Sequence, residues 1–201
     1  MNVLEPARPR DENASENSGR KITNGGKLAI FADTKARQDY FGRFEYVRAP
    51  QPGNPEAITI CGNWEVENLV TVHIPQLVGV PTYSGTSTGK VRFHRLGVSQ
   101  LQALWAAWQA ACLIDRVIFW AGAFSPRLIR GAGLEPNLSM HAFGAAFDIN
   151  ATENRLGAEP ARLGEHGCVR ELVELANAHG FFWGGHFKGR LDGMHFELAQ
   201  S

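Results

Sequence analysis

The stretch Ser139-Met140-His141-Ala142-Phe143-Gly144-Ala145-Ala146-Phe147-Asp148, taken with Asp192-Gly193-Met194-His195, constrains the fold more than any other feature of this chain. It places a His and an Asp seven positions apart with small residues between them, and a second His far downstream with an acid three positions before it. Two His and one Asp are a common ligand set for catalytic zinc, which takes three protein ligands and keeps a fourth position for water. Asp192 is then left over as a base for that water. A fold that uses this set has to bring two distant segments to one point.

The periodicity suggests how. Leu28 to Phe31, Arg43 to Val47, Ala57 to Ile60 and Leu69 to Ile74 are short apolar or alternating runs and read as strands. After a turn-rich stretch from Val80 to Arg95, Ser99 can cap a helix whose stripe is Leu101, Leu104, Trp105, Trp108, Ala111 and Cys112. Arg116 to Phe124 reads as a buried strand, and Phe147 to Asn150 as an alternating one with Asp148 and Asn150 on one face. A second helix is expected from about Val169 to His179, with Gly180 as its C′ residue. Phe181 to Gly185 and Met194 to Leu198 complete the strands. The expected fold is α+β, a mostly antiparallel sheet with helices packed on one side. Residues 1–26 are expected to be a disordered tail, 27–84 a β-rich extension, and 85–201 the domain that carries the chemistry.

In the closing strand His195 and Glu197 share a face. Gly193 is expected to give the preceding turn the backbone freedom to bring Asp192 round. Gly144, Ala145 and Ala146 let the chain pass close to a neighbour, so that His141 and Asp148 converge. Asn150, Ser139 and Glu197 are candidates for orienting the ligands. His73 reads as a structural strand residue. A Ser139/His141/Asp148 triad is a rival, but the Ser lacks the elbow such a nucleophile uses.

Composition excludes other classes. Lys+Arg and Asp+Glu balance at 20 each, so no electrostatic footprint for nucleic acid is present. No apolar run approaches the roughly 20 residues of a membrane span, so no membrane insertion is expected. The first residues have no apolar core of a secretory signal, which implies synthesis in the cytoplasm. Cys61, Cys112 and Cys168 are spaced too widely for a metal knuckle and read as buried free thiols.

The pattern Ser139-x-His141-x-x-Gly144-x-Ala146-x-Asp148 followed by Asp192-x-x-His195 resembles the zinc peptidases that include VanY-like D-Ala-D-Ala carboxypeptidases and the L-Ala-D-Glu endopeptidases of phage endolysins. The resemblance runs from about Val98 to Glu197, and Pro126 to Gly131 and Trp183 to His186 also look like one branch of that family. It implies that His141, Asp148 and His195 hold one Zn²⁺ and that Asp192 is the general base. It also implies an Arg in the loop before the first motif, with Arg127 and Arg130 as alternatives, Arg127 placed as the catalytic one. Arg130, Ser139 and His186 are then the candidates for substrate contact.

The implied activity is amide hydrolysis in peptidoglycan stem peptides, with Asp192 tilting toward the endopeptidase branch. A D-Ala-D-Ala carboxypeptidase is the nearest alternative, and a non-catalytic zinc-stabilised binding module the alternative from another class. The implied partner is peptidoglycan, the expected state a monomer, and the expected place of action the cell wall, reached by release or a non-classical route.

Overall fold

Four antiparallel strands, in the spatial order Trp120–Gly122, Ala146–Ile149, His195–Leu198 and Phe181–Trp183, form the sheet on which the site is built. In chain order the strands are β1 (Tyr46–Arg48), β2 (Ile58–Ile60), β3 (Leu69–His73), β4 (Pro81–Thr82), β5 (Gly85–Thr86), β6 (Lys90–His94), β7 (Trp120–Gly122), β8 (Ala146–Ile149), β9 (Phe181–Trp183) and β10 (His195–Leu198). The helices are α1 (Thr34–Phe41), α2 (Trp64–Asn68), α3 (Val98–Ala110) and α4 (Val173–Ala178). The computed structural model describes residues 28–131 and 137–200. The expected tail, residues 1–26, lies outside them. The architecture is α+β, with antiparallel pairing throughout the sheet.

Register decides what each face carries. His195 pairs with Asp148, Phe196 with Phe147 and Glu197 with Ala146. Alternation therefore puts Phe147 and Phe196 on one face, where their rings stack with centroids 5.4 Å apart. Trp105 and Trp108 of α3 pack onto that face, and the Trp108 indole donates to Leu172 O just before α4 at 3.0 Å. The other face keeps Asp148, His195 and Glu197.

Segment 28–84 is not built from strands alone. Asp33 caps α1, its side chain accepting from Ala36 N at 2.8 Å. Only Ala29 of the first expected strand pairs, as an isolated bridge to Gln200. Phe31, Phe41, Phe44, Ile58 and Leu69 join Trp105, Phe147 and Phe196 in one buried cluster. The β3–β6 ladder, Leu69↔His94 to His73↔Lys90, crosses position 84/85 and ties the two stretches by backbone bonds. His73 lies exposed at the end of that ladder.

Several local expectations shift. Helix α3 starts at Val98, with Gly97 rather than Ser99 at its N-cap, because a 3₁₀ turn (Arg95–Gly97) leads straight into it. The helix stops at Ala110, so Cys112 falls beyond it with φ 57° and is exposed; Cys61 is exposed too, and only Cys168 is buried. The strand expected over Arg116–Phe124 is limited to Trp120–Gly122. Upstream of it the Asn150 side chain takes the backbone: its Oδ1 accepts from Ile118 N and Phe119 N at 3.0 and 3.1 Å. Asn150 Nδ2 donates to Arg116 O and Gly167 O. Asn150 is therefore a fully buried clamp between loops, not a partner of the candidate ligands.

Candidate metal centre

His141 sits in a 3₁₀ turn (Met140–Phe143) that Ser139 caps, its Oγ accepting from His141 N at 3.3 Å. That hydroxyl meets the backbone and not the imidazole, so no Ser–His nucleophile pair is formed. Gly144 ends the turn with φ 63°. A Cβ there would stand 2.7 Å from Leu69 Cδ2 and 3.2 Å from His94 N, so both conformation and space call for glycine. The turn delivers the chain into β8, where Asp148 faces His195 of β10.

The three candidate ligands meet. His141 Nε2 lies 3.1 Å from Asp148 Oδ1 and 3.0 Å from His195 Nδ1, and His195 Nδ1 lies 3.0 Å from the same Oδ1. Tetrahedral ligands about 2.0–2.1 Å from a zinc ion stand about 3.3 Å apart, so this triangle is slightly tighter than one face of such a shell.

Its chemistry is that of a cation site. His141 Nδ1 donates to Ala123 O at 2.6 Å, and His195 Nε2 donates to Glu197 Oε2 at 2.9 Å. In the neutral rings this leaves His141 Nε2 and His195 Nδ1 as lone pairs, both aimed at a carboxylate oxygen. Three converging lone pairs repel unless a proton or a metal ion lies between them. Ring nitrogens fixed from behind by a carbonyl and a carboxylate are the usual support of metal-bound imidazoles.

The electrostatics agree. Burial lowers the His141 pKa despite the Asp148 carboxylate. Burial alone would raise Asp148, but the two imidazoles outweigh it and hold its carboxyl well below the usual range. Burial also opposes charge on His195, yet its bonds to Asp148 and Glu197 push it up to about 10. The two carboxylates that flank His195 favour protonation there over His141.

Asp192 occupies the turn before β10, half-buried, with burial as the main cause that raises its carboxyl to about 6. Gly193 is required there for space and not for an unusual backbone angle: a Cβ would stand 2.7 Å from Pro160 Cβ and Cγ. The Trp183 indole donates to Gly193 O at 2.8 Å and fixes the turn from the other side.

Asp148, Asp192 and His195 open onto a cavity of about 960 Å³. Arg127, Arg130, Ser139 and His186 line it as well. Arg127 is 9 % exposed, its guanidinium lowered by burial and supported by the charges of Asp148 and Asp192. Arg130 is exposed, and His186 rests edge-on against Trp183 with centroids 4.9 Å apart. The sequence reading missed the far wall, made by Leu28, Ile30 and Arg37, and the aromatic side, Phe182 and Phe187. A helix whose buried residues include an arginine gives no apolar stripe to read.

Residues 133–198, about a third of the chain, match the family model described as D-alanyl-D-alanine carboxypeptidase. Over this segment the chain is similar to that peptidase family. No curated protein and no solved structure matches the chain. The matched segment holds His141, Asp148, Asp192, His195 and Glu197, whereas Arg37, Arg127 and Arg130 lie upstream of it. Among the described residues His141, Asp148 and His195 form the group able to hold a metal ion, and no helix is long and apolar enough to cross a membrane.

Proposed function

We propose that this chain is a zinc-dependent peptidase that hydrolyses amide bonds within peptidoglycan stem peptides. The observation that carries the proposal is the triangle of lone pairs from His141, Asp148 and His195, with the half-buried Asp192 on the same cavity. A purely structural metal site has no use for the second acid.

When bound, zinc polarises a carbonyl and lowers the pKa of water toward about 7. Asp192 takes the proton of the attacking water and passes it to the leaving amine. Its raised pKa suits a group that both accepts and donates near neutral pH. Arg127, buried on the same cavity as Asp148 and Asp192, is assigned the developing oxyanion, and Arg130, at the exposed edge, a substrate carboxylate. Ser139 and His186 line the substrate's path. Glu197 and the Ala123 carbonyl hold the two imidazoles in the tautomers the metal requires.

Asp192 as the acid of the Asp-x-x-His run favours an internal cut, and the description of the matching family favours removal of a terminal D-Ala as the second reading. Metal analysis of the purified chain, followed by digestion of sacculi and mass spectrometry of the fragments, tests both. The expected result is one zinc per chain and stem peptides cleaved internally. Release of D-Ala alone would establish the second reading, and zinc binding with intact sacculi would leave a binding module.

A further inference from the structure

Two loops that touch one another form one side of the cavity. Residues 187–192 make the first, and both of its ends are pinned to Gly184 O, by Phe187 N at 3.1 Å and by Asp192 N at 3.0 Å. The Phe187 ring stacks on Phe182 with centroids 5.8 Å apart, and Leu191 O accepts from Gly157 N at 2.7 Å. From this loop Arg190 reaches the second, residues 127–131, where its Nη2 donates to Arg130 O. A Cβ at Gly131 would stand 3.0 Å from Arg190 Nη1, and one at Gly157 3.5 Å from Arg190 Cδ. The side chain of Arg190 therefore lies against both backbones.

These loops place three exposed cations on the cavity, Arg130, Lys188 and Arg190. Among the described residues none of the three is in an ion pair. The bond from Arg190 goes to a neutral carbonyl and leaves its charge uncompensated. Asp148, Asp192 and Glu197 are the acids on the same cavity. Asp148 and Glu197 are bonded to the imidazoles, and Asp192 is assigned the proton of the attacking water. Like charges gathered around an opening concentrate ligands of the opposite sign. A single substrate carboxylate, given to Arg130, leaves Lys188 and Arg190 without a counterpart.

We propose that Lys188 and Arg190 form a subsite for a second substrate carboxylate, so that the chain selects stem peptides with free side carboxylates over those carrying carboxamides there. A carboxamide keeps the shape of a carboxylate but loses the charge, and its NH₂ presents hydrogens to side chains that can only donate. Recognition at this rim acts on binding and leaves bond breaking to Asp192 and Arg127. The inference takes the nature of its ligand from the peptidase reading, whereas the subsite is read by binding alone.

The test uses the full chain freed of metal by dialysis, so that peptide stays uncut. The probe is a synthetic stem tetrapeptide in two forms, with side carboxylates free or amidated and the C-terminal carboxylate free in both. Titration calorimetry should give a Kd about tenfold lower for the acid form, the scale of one charge-assisted hydrogen bond at a solvated rim. That ratio should shrink as salt is raised. Lys188→Met combined with Arg190→Met should bind both forms alike. Arg190→Lys should keep the preference, because the charge carries it and not the bond to Arg130 O. Should the double variant fail to fold by circular dichroism, Lys188→Met alone must narrow the preference, and an unchanged ratio rejects the subsite. Equal affinity for the two forms in the unmutated chain, no binding of either, or a preference that survives both substitutions would overturn the proposal. With zinc restored, a preference in binding without any hydrolysis would sink the peptidase reading and leave the subsite standing. Hydrolysis of both forms at one rate, with one affinity, would do the reverse.

Discussion

Asp192 is asked to hold a proton and to give it up within one turnover, and its half-buried turn suits both. Burial raises its carboxyl to about 6 in the metal-free protein, and a bound cation pulls that value down. Hydrolysis by the zinc-loaded chain is therefore expected to fall through an acidic limb that lies below pH 6 in the pH profile of kcat/KM. In the metal-free protein the same shift stabilises the fold fully below about pH 4, and that contribution is lost as pH rises through about 6. Asp192→Ala should keep zinc and lose about 10²–10⁴-fold in rate, whereas His195→Ala loses zinc and activity together. Normal hydrolysis by zinc-loaded Asp192→Ala would remove the base from the scheme. For the arginines, Arg127→Ala should cost about 10²-fold in kcat, and Arg130→Ala should act mainly on KM. The reverse split would exchange their roles.

At the scale of elements, the turn from Met140 to Gly144 decides how His141 meets β8. Gly144→Ala imposes a left-handed backbone angle worth about 1–2 kcal/mol and adds a clash with Leu69. Urea unfolding should show at least that loss, with weaker metal binding because the His141 ring is displaced. The close passage at Gly144 was legible from sequence, since the small residues after it leave room for a neighbour, but the 3₁₀ turn that Ser139 caps was not. The closing strand was legible too, because alternation puts His195 and Glu197 on one face. Other elements were not. α1 is short and turns Arg37 inward, so its pattern lacks an apolar stripe. The clamp by Asn150 replaces ladder bonds over residues 116–119 and cuts short the strand that the apolar residues predict. The support of His141 by Ala123 O is a backbone contact, on which side-chain identity is silent.

For the whole molecule, the buried cluster joins Phe31, Phe41 and Phe44 to Trp105 and Phe147 without a break. Removing residues 1–84 would take away β3, the partner of β6, and uncover the aromatic rings beneath it. A fragment of residues 85–201 is therefore expected to lack a cooperative unfolding transition by circular dichroism, and a sharp transition would show that the upstream segment is dispensable. The pairing of His195 with Asp148 has a practical sequel. A slip of one residue between β8 and β10 would throw their side chains to opposite faces. Such a misaligned molecule has the right mass and every ligand residue, yet no common point at which to gather them. Ions bound per mole of purified protein thus count the correctly registered fraction of a preparation, which a gel or a mass spectrum does not report.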